Sequence, residues 1–298
     1  MRPRHLSLGR ALRVLFGIVG LVFLAFAFRE TWDRSQQTVL PSTVHLVSAG
    51  ALMLAALAFG SRGWACLFDA PGRHKALRSG YYMAQLGKYM PGAVWQAVGQ
   101  VGLAKGTGIP ASRAVAAFLT HAVVQAAAGA TVASSLSVLR SDLPPVLRLG
   151  SLLGLLLLIP LRRGWTVRVV GLVGRLVRRA DVPDDLIASQ RGILCSYGWT
   201  LVTTITSSFG FAVLAWSVRA TESPVSAVPA FAFAWTVGFL AIPFPAGLGV
   251  REAVLIAMLD TGVGVAPIIA ASLAHRLVTM STELVMILAS KLHAARTT

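Results

Sequence analysis

Charge is scarce in this chain. Only 13% of its 298 residues are Asp, Glu, Lys or Arg, about half the roughly 25% of a soluble domain. Acidic residues are scarcer still, 11 against 27 basic ones. Cysteine occurs twice, as Cys66 and Cys195, with no metal-ligand spacing to a partner. Also missing are a Gly-x-Ser-x-Gly elbow, a phosphate loop of the nucleotide-hydrolase type, a His/Cys cluster and an acidic pair able to hold a metal for glycosyl transfer. These absences point away from an enzyme and from any metal or cofactor. Short alternating strands with a dyad period are absent too, which argues against a membrane barrel.

What the chain has is apolar length. Hydrophobic residues make up 55% of it, mean hydropathy is +0.71, and the apolar residues fall in long unbroken runs. That is the signature of membrane-spanning helices. The expectation is an all-α polytopic membrane protein of seven to eight transmembrane helices, a single domain over residues 1–298. A formal charge of +16 raises the question of nucleic acid, but the basic residues are dispersed among loops between spans, so no nucleic-acid partner is expected.

The apolar run Val14–Phe28 follows Arg2, Arg4, Arg10 and Arg13. It reads as an uncleaved first span rather than a secretory signal, although Ala25-Phe26-Ala27 resembles a cleavage site. Further spans are expected near 39–60, 114–139, 145–161, 193–218 and 225–242. The remainder to Ser290 forms either two short spans turning near Asp260–Gly264 or a half-helix and one long span; charge favours the first. With the N-terminus inside and eight crossings, inner segments hold 21 of the 27 Lys and Arg, and outer loops hold five. This is the bias of positive-inside topology in a multi-pass protein of the cell membrane. Trp32 and Trp216 fall at outer ends and Trp64, Trp165 and Trp199 at inner ends, as an aromatic belt requires. Both cysteines fall on the inner side, where reduced thiols are expected. Residues 162–191, with Arg168, Arg175 and Arg179 on one face, read as a basic helix along the inner leaflet. The hydroxyl run Thr203–Ser208 is expected to bond backbone or neighbouring helices.

Two stretches break the apolar pattern. In the first, residues 80–108, arms of about ten residues flank Pro91-Gly92. Each arm reaches about 15 Å at helical rise, half a bilayer. A re-entrant helical hairpin with Pro91-Gly92 at its tip follows, since irregular backbone at membrane depth needs protein or a wet cavity around it. Its second arm would point a helix N-terminus at an anion. Lys88 and Tyr89 adjoin the tip as phosphate and hydrogen-bond partners; Trp95 and Gln96 follow it. The second break, near 243–260, holds Gly247 and Gly249, then Arg251 and Glu252. Adjacent residues do not face each other on a helix, so Arg251 and Glu252 are expected to have different partners. Arg251 can grip phosphate with paired donors. Intramembrane polar residues complete the set: His121 and Gln125 one turn apart, then His275, Arg276 and Glu283. Arg276 and Glu283 lie two turns apart on one face, so each is expected to pair with other helices.

The runs Lys88-Tyr89-Met90-Pro91-Gly92-x-x-Trp95-Gln96, Pro245-Ala246-Gly247-Leu248-Gly249-Val250-Arg251-Glu252-Ala253 and His275-Arg276-Leu277 resemble the transmembrane region of the lysylphosphatidylglycerol synthases, a flippase-like family. The resemblance covers nearly the whole chain. Gln100 stands where an arginine is frequent and His121 where a glutamate is frequent. The full-length synthases add a soluble aminoacyl-transferring domain; none follows here to Thr298, so aminoacylation is not implied. The resemblance implies a translocator of anionic or phosphate-bearing membrane lipids, or of polyprenyl-phosphate-linked glycans, in the cell envelope. The alternative is a non-catalytic membrane subunit that anchors or regulates an envelope glycosyltransferase partner.

Overall fold

A computed structural model describes residues 40–68, 70, 72–89, 95–139, 143–178, 183–241, 247, 249–259 and 264–297. All regular elements among these are helical. They are α1 (Thr43–Cys66), α2 (His74–Gln85) with a 3-10 turn over Leu86–Tyr89, α3 (Trp95–Lys105), α4 (Ala111–Ser134) and the short α5 (Leu136–Leu139). Then come α6 (Pro145–Leu153) continued by a 3-10 stretch to Leu161, α7 (Arg163–Arg178), a 3-10 turn at Asp184–Leu186, α8 (Gln190–Ser217), α9 (Pro224–Leu240), α10 (Val250–Leu259) and α11 (Val265–Thr297).

Among the described residues four helices, α1, α4, α8 and α11, are long and apolar enough to cross a membrane. The expected first span lies outside the described residues; the other expected spans fall on α1, α4, α6, α8, α9, α10 and α11. The preferred reading of the C-terminal segment needs correction. The structure has the half-helix followed by one long helix: α10 has 10 residues and α11 has 33. Ten residues rise about 15 Å, half of a hydrocarbon core about 30 Å thick. Helix α10 packs on α9.

The bundle is centred on α8, which packs most extensively on α1 and also against α4, α9 and α11. Small residues set the α1–α8 distance. A Cβ on Gly63 would lie 3.0 Å from Thr200 Oγ1, and one on Gly210 would lie 3.4 Å from Met53 Sδ. Close backbone approach through small residues is how membrane helices gain dispersion contact without a hydrophobic driving force. Within the hydroxyl run Thr203, Thr204 and Thr206 each donate to a carbonyl four residues back, as expected, whereas Ser208 Oγ is buried without a hydrogen bond among the described residues.

Two residue-level expectations are overturned. The structure pairs Cys66 with Cys195 as a disulfide, their Cα atoms 5.9 Å apart, where two reduced thiols were expected. The pairing follows from the antiparallel α1–α8 contact, which brings the end of one helix beside the start of the other across 129 residues of sequence. Trp64 is no belt residue: it is 1% exposed and packs edge-on against Phe68 and His121. Trp165 and Trp216 are exposed. Helix α7 leaves the α6 segment at a bend of 99°. It keeps Thr166 and Val170 buried while Trp165 and Arg168 face out, the guanidinium 5.1 Å from the indole. Arg179 lies outside the described residues.

Candidate functional site

The first break forms an antiparallel helical hairpin. A Cβ on Gly80 would lie 3.1 Å from Leu103 Cβ, and one on Gly99 3.3 Å from Ala84. Both pairs are centred midway between positions 91 and 92, as the re-entrant expectation requires; Pro91 and Gly92 themselves lie outside the described residues. Tyr89 closes the 3-10 turn and Trp95 opens α3. Gln96 Nε2 donates across the hairpin to Gln85 Oε1 at 3.4 Å. The hairpin packs on α1, α4 and α11, among the membrane-length helices rather than apart from them. Its anchor is polar: Arg78 Nε donates to Ser61 Oγ at 3.0 Å, and Ser61 shares a 2.9 Å hydrogen bond with the Tyr82 hydroxyl.

Near the hairpin tip, Lys88 Nζ donates to Glu283 Oε1 on α11. Lys88 keeps 27% of its side chain exposed while Glu283 keeps 1%. A carboxylate so buried requires its cation: removing one partner of such a pair costs about 3–5 kcal/mol. Sequence reasoning had named both residues without pairing them.

The second break gathers Arg251, Glu252, Ser272, His275 and Arg276. Gly247 and Gly249 adopt φ of 64° and 79°, a region open to glycine and strained for other residues. At Gly247 space also decides, because a Cβ would lie 2.8 Å from the Gly238 backbone on α9. That contact turns the chain back so that α10 starts beside α9. Glu252 stands at the third position of α10 and accepts from Gly249 N–H at 2.9 Å, one half of a capping box. This helix start therefore carries its own carboxylate instead of offering bare N–H groups to an anion.

The same carboxylate accepts from Arg276 Nη2 at 3.0 Å and from the Ser272 hydroxyl at 2.7 Å. Arg251 Nη2 donates to Ser272 Oγ at 3.0 Å, and Arg251 Nε lies 3.6 Å from Glu252 Oε1. The adjacent pair thus shares Ser272 as well as having separate partners. Arg251 also sits 5.3 Å from the Phe231 ring, which packs 4.6 Å from the His275 ring. Among the described residues two guanidinium groups face one carboxylate within a largely buried cluster.

His121 is 3% exposed and faces Trp64 and Tyr81, with ring centroids at 5.8 and 6.2 Å. Gln125, one turn along α4, is half-buried and makes no hydrogen bond to the other candidate residues among those described. Among the described residues no three His, Cys, Asp or Glu side chains converge as metal ligands would. Ser272, Tyr81, Gln85 and Arg78 escaped sequence reasoning. Ser272 carried a signal, standing one turn before Arg276 on the same face; a serine on an apolar helix otherwise looks like any small packing residue.

Long apolar helices around charged pairs buried between broken elements define a polytopic α-helical membrane protein with a polar interior. The chain belongs to the lysylphosphatidylglycerol synthase transmembrane-region family, whose pattern it matches over residues 10–287. That membership relates it to envelope lipids. No curated protein matches the chain.

Proposed function

We propose that this protein moves an anionic, phosphate-bearing lipid between leaflets of the cell membrane, holding the head group at the charged residues of α10 and α11 while the tails stay in the bilayer. The observation that carries this reading is the Arg251–Glu252–Arg276–Ser272 cluster, two guanidinium groups gathered on one carboxylate within the bundle. Charged groups inside a membrane bundle are expensive and mark substrate paths. A lipid phosphodiester presents anionic oxygens of the kind these guanidinium groups already bind in Glu252. Arg276 is already bonded to Glu252, so the phosphate would compete with the carboxylate for shared donors; bidentate guanidinium geometry suits either anion. Lys88, held by Glu283 about two helical turns from Arg276, would contribute at the opposite edge of the head group.

The test is head-group flipping in reconstituted vesicles, read by quenching of a fluorescent anionic phospholipid in the outer leaflet. Arg276→Ala and Arg251→Ala are each expected to slow flipping at least about tenfold, the loss of one charge-assisted hydrogen bond, with reconstitution unchanged. Unaltered rates in both variants would refute the translocator.

A further inference from the structure

The base of the α2–α3 hairpin is unevenly charged. From position 60 to 110 the sequence carries Arg62, Arg73, Lys75, Arg78, Lys88 and Lys105 against a single acidic residue, Asp69. Arg73, Lys75 and Lys105 are exposed, so water can serve them. Arg78 differs: it is half-buried where α2 meets α1.

Its guanidinium is held at one edge only. Ser61 Oγ gives its single proton to Ala58 O at 2.7 Å. It therefore accepts twice, from the Tyr82 hydroxyl at 2.9 Å and from Arg78 Nε at 3.0 Å. One donated and two accepted bonds are the full capacity of a hydroxyl. Ser61 is 0% exposed and Tyr82 7%. A Cβ on the neighbouring Gly60 would lie 2.6 Å from the Tyr81 hydroxyl oxygen, so this part of the α1–α2 contact has no slack. The Nε edge is thus fixed. Among the described residues Nη1 and Nη2 of Arg78 donate to nothing, and no carboxylate pairs with them.

The anchor is neutral, so it orients the guanidinium without cancelling its charge. A partly desolvated cation without a counter-ion is costly, and its complement is an anion. The two terminal nitrogens form a planar fork that matches two oxygens of one oxoanion, a geometry lysine does not offer. The exposed Arg73 and Lys75 beside it mark the level of the inner-leaflet head groups, where phosphate is the abundant oxoanion.

We propose that Arg78, splinted by Ser61 and Tyr82, is a phosphate-binding site of its own, separate from the α10–α11 cluster, where a lipid head group is first gripped. Arg78 precedes Lys88 by about 15 Å of helix, which puts the site at the open end of the hairpin rather than at its tip. The site stands without the translocator reading; its role as the loading point rests on that reading.

The test reads the arginines one by one. The purified full chain in mild detergent is treated with phenylglyoxal, which modifies accessible guanidinium groups, and Arg78 is followed by peptide mass spectrometry. The competitors are short-chain phosphatidylglycerol, diacylglycerol of the same chains, and inorganic phosphate. With phosphatidylglycerol about tenfold above half-saturation, modification of Arg78 is expected to slow about tenfold. Diacylglycerol is expected to give no protection, and the lipid's protection is expected to persist in Arg276→Ala. No protection by either phosphate, equal protection by diacylglycerol, or protection lost in Arg276→Ala overturns the site. Protection by inorganic phosphate with none by the lipid supports the site and overturns its loading role.

Flipping in vesicles tests that role. Arg78→Gln is expected to raise the lipid concentration for half-maximal flipping about tenfold, the loss of a charge-assisted hydrogen bond, at an unchanged maximal rate. A lowered maximum at unchanged half-saturation overturns loading. Absence of flipping in the unaltered protein overturns loading together with the translocator reading, while protection of Arg78 still decides the site.

Discussion

Lys88 and Glu283 show how a single residue pair is committed by burial. Glu283 is 1% exposed and its Oε1 is held by Lys88. Lys88→Met therefore strands a buried carboxylate, and the expected cost is about 3–5 kcal/mol. Replacing both, as Lys88→Met with Glu283→Leu, removes the charges together and is expected to recover most of that loss, since apolar isosteres of a buried pair are often neutral or better. Thermal unfolding in detergent would read both variants, and flipping in vesicles would separate stability from function. A double variant no more stable than the single one would show that the pair does not act as a unit. Ser272 offers a second residue-scale reading. It accepts from Arg251 and donates to Glu252, so Ser272→Ala removes the hydroxyl that links the two while the Ser272 carbonyl still accepts from Arg251 at 3.4 Å.

Helical elements set where these side chains stand. Gly247 is the tightest constraint, with φ of 64° and the Gly238 backbone 2.8 Å from where a Cβ would be. Gly247→Ala meets backbone that has no flexible end to give. Destabilisation of about 1–3 kcal/mol is expected, read as a lower unfolding midpoint, with Arg251 and Glu252 displaced from α11. Gly50→Ala, with no atom within 4 Å of the added carbon, is the matched control and is expected to leave the midpoint unchanged or slightly raised. The breaks themselves were legible in the sequence because Pro, Gly and charge stand out against Ala, Leu and Val. Their closure was not. The α2–α3 register depends on Gly80 and Gly99 meeting Leu103 and Ala84, and nothing in the local pattern distinguishes these glycines from Gly102, which meets nothing within 4 Å. Helix α10 misled for a different reason. Its composition is that of a span, and only its length of 10 residues limits it to half of one.

At the scale of the whole molecule, long-range pairings decided what sequence reasoning could not. Lys88 and Glu283 are 195 residues apart, and Cys66 and Cys195 are 129 apart; composition and periodicity report on neighbours, not on such meetings. The all-helical class and the two breaks were readable because each rests on local composition, and the family because three short motif runs carry the resemblance. The disulfide makes a direct prediction. Alkylation of the unfolded, unreduced protein should label neither cysteine, and label both after reduction; full labelling without reductant would show that the thiols stay separate. The bend of 99° between the α6 segment and α7 makes another. A cysteine replacing Arg168 in a Cys66→Ser, Cys195→Ser background should react with a membrane-impermeant maleimide from the cytoplasmic face alone, if α7 lies on the inner leaflet as its basic face suggests. Reaction from the outer face would invert the topology read from the lysine and arginine count.

Helix α11 receives both breaks: Glu283 holds the hairpin through Lys88, and Ser272 and Arg276 hold the start of α10 through Arg251 and Glu252. These attachments lie on one rigid rod. A rotation or slide of α11 is therefore expected to disturb both attachments together, which couples the two halves of the interior through one helix.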